Sequence, residues 1–290
     1  MKRAAVVGTF DGVHLGHRYL LGALKTLAAR RGLEPIALVL DPNPLALIDP
    51  ARAPKKLTEP EERIAKIGEL SVEARILNFS EELRRKTARE FLEYINIDLG
   101  VEMLLIGFNN HIGSDRVSAA SEAIAALGRE TGVQIIAAQE YTAQPVSSTL
   151  VRRALQEGNV ERANELLGEE YTLTGEVVKG QQLGRTIGFP TANVAVGPDF
   201  EIPRPGVYWG YVGEHPCVIN IGRRPTVDKS ADAPLTVEVN ILDFSGDLYG
   251  RRISVRFAGR LRDEKKFGSI EELKHAIQND VDHVRQLIRH

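Results

Sequence analysis

The chain has 290 residues, enough for two domains of ordinary size. It is 43% hydrophobic and 26% charged with a formal net charge of −2, which excludes a broad electrostatic attraction to nucleic acid or to an anionic membrane. Cys217 is the only cysteine, so no internal disulfide can form; no stretch approaches an apolar membrane span, and a cytoplasmic protein is expected.

The apolar run over 4–7 predicts a short buried parallel strand, and Leu20, Leu21, Leu24 and Leu27 follow at helical spacing. Between them stands Gly-Thr-Phe-Asp-Gly-Val-His-Leu-Gly-His, residues 8–17. His14 and His17 are three apart and share one face of the first helical turn. Unpaired backbone N–H groups and the positive end of the helix dipole gather there. Gly16 keeps that face open to a ligand. Two imidazoles at a helix N-terminus form a phosphate site, suited to a reaction in which negative charge builds on a transferring phosphorus.

A second strand is expected over 36–40, ending at Asp41-Pro42-Asn43-Pro44. The prolines stop it and stiffen the loop at its carboxyl end, where ligands collect in open α/β sheets. Thr58-Glu59-Pro60-Glu61 reads as a capping box for a helix carrying Ile64, Ile67 and Leu70. A third strand follows over 75–79, then a second capping box over 87–90 and a helix with Phe91, Leu92 and Ile95. A fourth strand over 103–106 precedes a polar loop over 107–115; a helix through 119–127 leads to a fifth strand over 133–138. Strands alternating with helices imply a parallel sheet covered on both faces.

Ser147, Ser148 and Thr149 then start a helix with Arg152 and Arg153 close behind. Plain capping is one reading; an anion site, where hydroxyls, N–H groups and a guanidinium converge, is the other. A short helix over 160–167 ends at Gly168, which sets the expected domains at 1–168 and 169–290. Strand-like runs over 171–178, 207–212, 218–221, 236–242 and 253–257, separated by turn residues, predict an antiparallel barrel or sandwich with a last helix from near Ser269.

Residues 180–193 carry a second chemistry. Gly180, Gly184 and Gly188 let a loop approach a phosphate chain closely, although the Walker ending is absent and a plain flexible connection fits equally. Thr191 and Asn193 lie on one side of an extended chain and offer hard oxygen atoms that suit Mg²⁺ on nucleotide phosphates. Glu238 alternates with Val237, Val239 and Ile241. It is either a solvated strand carboxylate or a general base in a barrel mouth.

With these stretches the chain resembles the bacterial bifunctional riboflavin kinase/FAD synthetase (FMN adenylyltransferase) family over nearly its whole length. The 8–17 motif is similar to the family's nucleotidyltransferase motif, and Val146-Ser147-Ser148-Thr149-Leu150-Val151-Arg152 to a second one. Gly184-Arg185-Thr186-Ile187-Gly188-Phe189-Pro190-Thr191-Ala192-Asn193 is similar to the kinase motif. Asn220-Ile221-Gly222-Arg223-Arg224-Pro225-Thr226 and Arg262-Asp263-Glu264-Lys265-Lys266-Phe267 follow at family-like spacing. The resemblance implies a Rossmann-like nucleotidyltransferase sheet followed by a riboflavin-kinase barrel with a terminal helix. It implies phosphorylation of riboflavin to FMN by ATP, then adenylylation of FMN to FAD with loss of pyrophosphate. Glu238, His14 and His17 would then be catalytic, and Thr191 and Asn193 would hold Mg²⁺. ATP phosphates would meet Gly8, Phe10, Asn109, Ser148, Thr149 and Arg152 in one site and Gly180, Gly184 and Gly188 in the other. Arg262, Glu264 and Phe267 would contact the flavin. The implied partners are these small molecules, with no nucleic acid and no membrane.

The chain departs from the family pattern at Asn43, where a histidine is usual, and at Asn110 and Ile112, where aromatics are usual. Those aromatics serve either packing or the flavin and adenine pocket. A riboflavin kinase with a weakened adenylyltransferase therefore stands as an alternative, and so does a flavin-binding regulator without turnover. The sequence carries no signal of oligomeric state.

Overall fold

The computed structural model describes residues 2–107, 110–180, 183–223 and 235–289, with only the backbone at 183 and 185. By internal contacts the chain divides into two compact units, Met1–Ser147 and Ser148–His290. Among the described residues no helix is long and apolar enough to cross a membrane.

The first unit runs β1 (Arg3–Gly8), α1 (Leu15–Arg31), β2 (Glu34–Asp41), α2 (Pro44–Ile48), α3 (Pro60–Glu69), β3 (Glu73–Asn78), α4 (Glu81–Arg85) and α5 (Ala88–Ile97). It continues through β4 (Val101–Gly107), the short hairpin β5 (His111–Ile112) and β6 (Val117–Ser118), α6 (Glu122–Thr131) and β7 (Gln134–Ala138). The sheet has the order β3-β2-β1-β4-β7, and its pairs are parallel. Alternate residues of β1 feed two cores. Ala4 and Val6 pack with Leu21, Leu24 and Ile67 of α1 and α3. Ala5 packs with Leu92, Ile95 and Ile124 of α5 and α6. The strand order reverses between β1 and β4, so the loops leaving these two strands border the crevice where such sheets bind ligands.

Two local signals resolve differently from the sequence reading. Glu59, not Thr58, precedes α3, because Pro60 takes the first helical position and the Glu62 carboxylate accepts from Glu59 N at 3.3 Å. Helix α6 starts at Glu122, later than expected, because the Ser121 hydroxyl accepts from Ile124 N at 3.3 Å and fixes the start there. The expected box at Thr87 is present, with Glu90 Oε2 accepting from Thr87 N at 2.7 Å.

The second unit opens with α7 (Ser148–Glu157) and α8 (Val160–Leu167). Next come β8 (Tyr171–Val178), α9 (Leu183–Thr186), β9 (Ala192–Ala195), β10 (Gly206–Val212), β11 (His215–Arg223), β12 (Leu235–Ile241), β13 (Arg252–Arg262) and α10 (Ile270–Leu287). The strands close a barrel in the order β10-β11-β12-β9-β8-β13. Leu173, Ile219, Ile221, Val237, Val239, Val255 and Phe257 are buried at alternate strand positions and fill it. Cys217 is buried on this inner row, and burial pushes its thiol pKa up to about 12, so it is no nucleophile. Outside, Val281 and Val284 of α10 pack on Val207 and Val218.

Helices α7 and α8 are bonded to the barrel. Asn164 donates to Phe257 O at 2.8 Å and accepts from Tyr171 N at 2.7 Å. Glu161 Oε1 accepts from Arg260 N at 2.8 Å, and Leu155 O from Arg204 N at 2.9 Å.

Candidate functional sites

The turn between β1 and α1 places the two histidines. Phe10 and Val13 are buried with φ values of 49° and 42°, a left-handed conformation that bulky L residues rarely adopt. Val13 O accepts from Arg18 Nε at 3.1 Å, and its own N donates to Phe10 O at 3.0 Å. His14 is the N-cap of α1, and its Nδ1 accepts from His17 N at 3.3 Å. In the neutral ring this leaves the proton on Nε2.

The two imidazoles are stacked, with centroids 3.6 Å apart and planes within 15°. Phe10 meets His17 edge-on at 5.2 Å, and the Phe10 ring also covers Gly8. Among the described residues, His17 Nδ1 is buried without a hydrogen-bond partner. Burial, then the neighbouring His14 and Arg63, hold the His17 pKa well below the usual imidazole value, so its ring is neutral at pH 7. Gly16 has a different role from the one its position suggests. A Cβ there would stand 3.0 Å from Val146 Cγ1 and 3.3 Å from the His14 ring, so glycine permits close packing around the histidines. The chain enters α7 two residues after Val146.

Ser148, Thr149 and Arg152 open α7 and belong by contacts to the second unit. Arg152 is buried and Thr149 exposed. Asn109 lies outside the described residues, as do Arg224, Pro225 and Thr226. Asn110 is exposed beside Gly107, whereas Ile112 is 9% exposed and belongs to the core with Ala88, Leu92 and Ile95.

In the barrel, strand register assembles the second group. Asn193 pairs with Glu238, Glu238 with Asn220, Asn220 with Val207 and Val207 with Arg262. Paired residues project from the same face, so these five form one row across β9, β12, β11, β10 and β13. Val207 packs beneath α10 outside the barrel, which puts the whole row on the outer wall. Glu238 is therefore on the barrel's outer wall, with Val237 and Val239 on the inner face beside it. From Asn220 to Asn193 the row spans about 10 Å, two strand spacings.

Thr191 precedes Asn193 by two and lies on Gly184, where a Cβ would meet its Oγ1 at 3.2 Å. A Cβ on Gly180 would fall 2.7 Å from Asn193 Oδ1 and 2.3 Å from Nδ2, so a side chain there would displace the Asn193 amide. Gly188 turns with a φ of 91°. Among the described residues no group of three or more His, Cys, Asp or Glu could hold a metal ion. A hydroxyl, an amide oxygen and a nearby carboxylate still fit Mg²⁺, which takes few protein ligands when phosphates complete its shell. A cavity of about 610 Å³ opens beside Thr191, bordered by Pro190, Ala192, Val239, Phe244 and Tyr249.

At the end of the row Arg262 donates to Asp280 of α10 through Nε at 2.9 Å and Nη2 at 2.7 Å. Its guanidinium lies 5.9 Å from the Phe267 ring centroid. The Glu264 carboxylate lies over Gly222, where a Cβ would stand 2.6 Å away. Asn220 went unassigned in the sequence, because only pairing puts it beside Glu238. Asp11 and Arg63 also went unassigned, and Thr58 was read only as a helix cap; the three meet only in the fold.

The family model described as FAD synthetase matches residues 1–150, and the one described as riboflavin kinase matches 167–288. The chain belongs to the bifunctional riboflavin kinase/FMN adenylyltransferase family. It is 39% identical to the protein of that name from Pseudomonas fluorescens over 98% of this chain and 92% of the relative. Its identity to the Escherichia coli K12 protein is 38%, over 94% and 89%. To the Bacillus subtilis protein it is 33%, over 96% and 90%. Its fold is similar to that of a solved Streptococcus pneumoniae protein described as a macrolide-efflux protein, with a TM-score of 0.81 and 29% identity over 98% of this chain and 94% of that one. The family models fall in order on the parallel sheet and the barrel, the two architectures that the sequence implied.

Proposed function

We propose that the chain makes FMN and FAD by two reactions, one in each unit. In the barrel, the 5′-hydroxyl oxygen of riboflavin attacks the γ-phosphorus of ATP. Glu238 takes the hydroxyl proton, and ADP leaves with the former bridging oxygen. The cross-strand pairing of Glu238 with Asn193, with Thr191 two residues before it, carries this assignment. Thr191 and Asn193 would hold Mg²⁺, which neutralises charge on the phosphates. Gly180, Gly184 and Gly188 let the loop approach those phosphates. Phe267 and Glu264 border the flavin, and Arg262, tied to Asp280, fixes that corner.

In the first unit, a phosphate oxygen of FMN attacks the α-phosphorus of a second ATP, and pyrophosphate leaves. His14 and His17 donate hydrogen bonds to the phosphates as charge builds. Gly8 and Phe10 shape the turn beneath. Ser148, Thr149 and Arg152, at the start of α7, are assigned to ATP phosphates. Asn109 contacts the same ATP. We assign the adenylyltransferase to residues 1–168 and the kinase to residues 169–290. The enzyme works in the cytoplasm, where ATP is supplied; its single cysteine and net charge of −2 support this and favour small-molecule partners over nucleic acid.

The reading of a kinase with a weakened adenylyltransferase drew on Asn43, Asn110 and Ile112, and of these Ile112 is core packing. A regulator without turnover has no use for Glu238 as a base. Incubation with riboflavin, ATP and Mg²⁺, followed by chromatography of the flavins, decides among the three. FMN and FAD are both expected, and excess chelator should stop both. FMN alone favours the weakened form, and unchanged riboflavin rejects catalysis.

A further inference from the structure

Three buried polar side chains stand behind the histidine turn with no part in the chemistry above. Asp11, Thr58 and Arg63 are 3%, 4% and 3% exposed. Such groups leave water at a cost unless they are bonded, and these bond to one another and to the turn. Asp11 Oδ1 accepts from Leu57 N at 3.0 Å and from Thr58 N at 3.1 Å. The Thr58 hydroxyl donates to Asp11 Oδ1 at 3.3 Å and accepts from Gly12 N at 3.0 Å and from Arg63 Nε at 3.3 Å. That uses its one donor and both lone pairs. Arg63 Nη2 donates to Thr58 O at 2.9 Å and Nη1 to Thr9 O at 3.3 Å. The guanidinium also faces Asp11 Oδ1 and Asp41 Oδ1, each at 3.6 Å.

Both ends of the turn are thus held from behind, at Thr9 and at Gly12. Between and beside these points Phe10 and Val13 keep left-handed backbones, which relax unless the surroundings over-determine them. Val13 leads directly into His14, so its dihedral angles set where the imidazole pair stands.

We propose that Thr58 and Arg63 are positioning residues of the adenylyl transfer, locking the turn from Thr9 to Val13 so that His14 and His17 stay stacked at the start of α1. The proposal rests on the adenylyl site assigned above. It predicts that loss of the clamp lowers kcat for FAD formation while the barrel reaction of the same chain continues.

The test compares Thr58→Val, Thr58→Ser, Arg63→Lys, Arg63→Gln and His17→Ala in the full chain, each assayed for FAD from supplied FMN and for FMN from riboflavin. Thr58→Val keeps the volume and removes the hydroxyl; Thr58→Ser keeps the hydroxyl and removes a methyl. A packing role would be hurt more by serine, and a hydrogen-bonding clamp more by valine. Thr58→Val should lower kcat for FAD formation about tenfold and Arg63→Gln roughly a hundredfold, with KM for ATP and FMN nearly unchanged, since small misplacements near a reacting centre cost that much. Thr58→Ser should retain near-normal kcat, and Arg63→Lys should fall between. FMN formation should stay normal throughout. Normal kcat in Thr58→Val, equal losses in serine and valine, a loss carried by KM, or a parallel fall in both reactions each overturns the clamp. His17→Ala separates the two claims: if it leaves FAD formation intact, the assigned site fails; if it abolishes FAD formation while Thr58→Val is normal, only the clamp fails.

Discussion

At the crevice of the parallel sheet, a few residues between β1 and α1 carry two left-handed non-glycine backbones, and polar groups 46 residues further along the chain hold them. In the barrel, Asn193, Glu238 and Asn220 occupy ordinary strand positions, and pairing alone brings them into line. A turn has no intrinsic register, so its geometry must be imposed from outside. A closed antiparallel sheet sets register repeatedly along every strand, so a side chain there is placed by its neighbours' backbone bonds. The histidine site should therefore be sensitive to changes well outside it, whereas the barrel row should respond mainly to changes in its own members.

The sharpest break is between the two reactions themselves. Glu238→Gln keeps the shape and the strand pairing but removes the basic carboxylate. FMN formation from riboflavin should fall by roughly 10²–10⁴-fold, the usual worth of a general base. FAD formation from supplied FMN should be untouched. His17→Ala should reverse the pattern, with FAD formation down about a hundredfold, as for loss of one preorganised donor. Assays of each variant with each starting flavin read this directly. Loss of both activities in a folded Glu238→Gln protein would end the assignment of one site to each unit.

The same contrast governs what could be read from the sequence. Strand and helix order in the first unit followed from apolar spacing, and the capping box at Thr87 and Glu90 was legible because its members are three residues apart. Thr58 looked like a cap for the same local reason, yet Pro60 moved the helix start and released its hydroxyl to Asp11 and Gly12. No local pattern carries a bond across that distance. In the barrel, alternation marked Glu238 as lying opposite Val237 and Val239, but not which face was outside. That needed α10 on Val207 and Val218. Asn220 lay in a quoted motif and gained meaning only from its pairing with Glu238.

The departure at Ile112 tests how far the first site reaches. Its side chain is in the core with Ala88, Leu92 and Ile95, close to where α5 begins. Next to it Gly113 has a φ of 75°, and a Cβ there would stand 2.1 Å from Ala88 N, so this corner has no slack. Ile112→Phe should overpack it and cost about 1–3 kcal/mol. The expected result is a lower melting temperature for the first unit, with no gain in KM for FMN. Asn110→Phe, at an exposed position, should leave stability nearly unchanged. A lower KM for FMN in Ile112→Phe without loss of stability would place that position against the flavin instead.

The smallest expected effect is also the one most specific to the braced turn. Burial first, then His14 and Arg63, keep the native His17 ring from taking a proton near the usual imidazole pKa of about 6.5. In the unfolded chain that restraint is gone, so below this pH the unfolded state binds more protons than the native state. Stability then rises with pH through this window. The contribution is complete above about pH 6.5 and is lost progressively as the pH falls, until the native ring itself titrates. His17→Gln removes the group in both states. Urea midpoints of the full chain, followed with a probe in the first unit, should show the wild type losing ground to His17→Gln between about pH 7 and about pH 5, by at most ~1.4 kcal/mol per pH unit for one proton. Parallel curves over that range would mean that His17 ionises in the native turn as freely as in water.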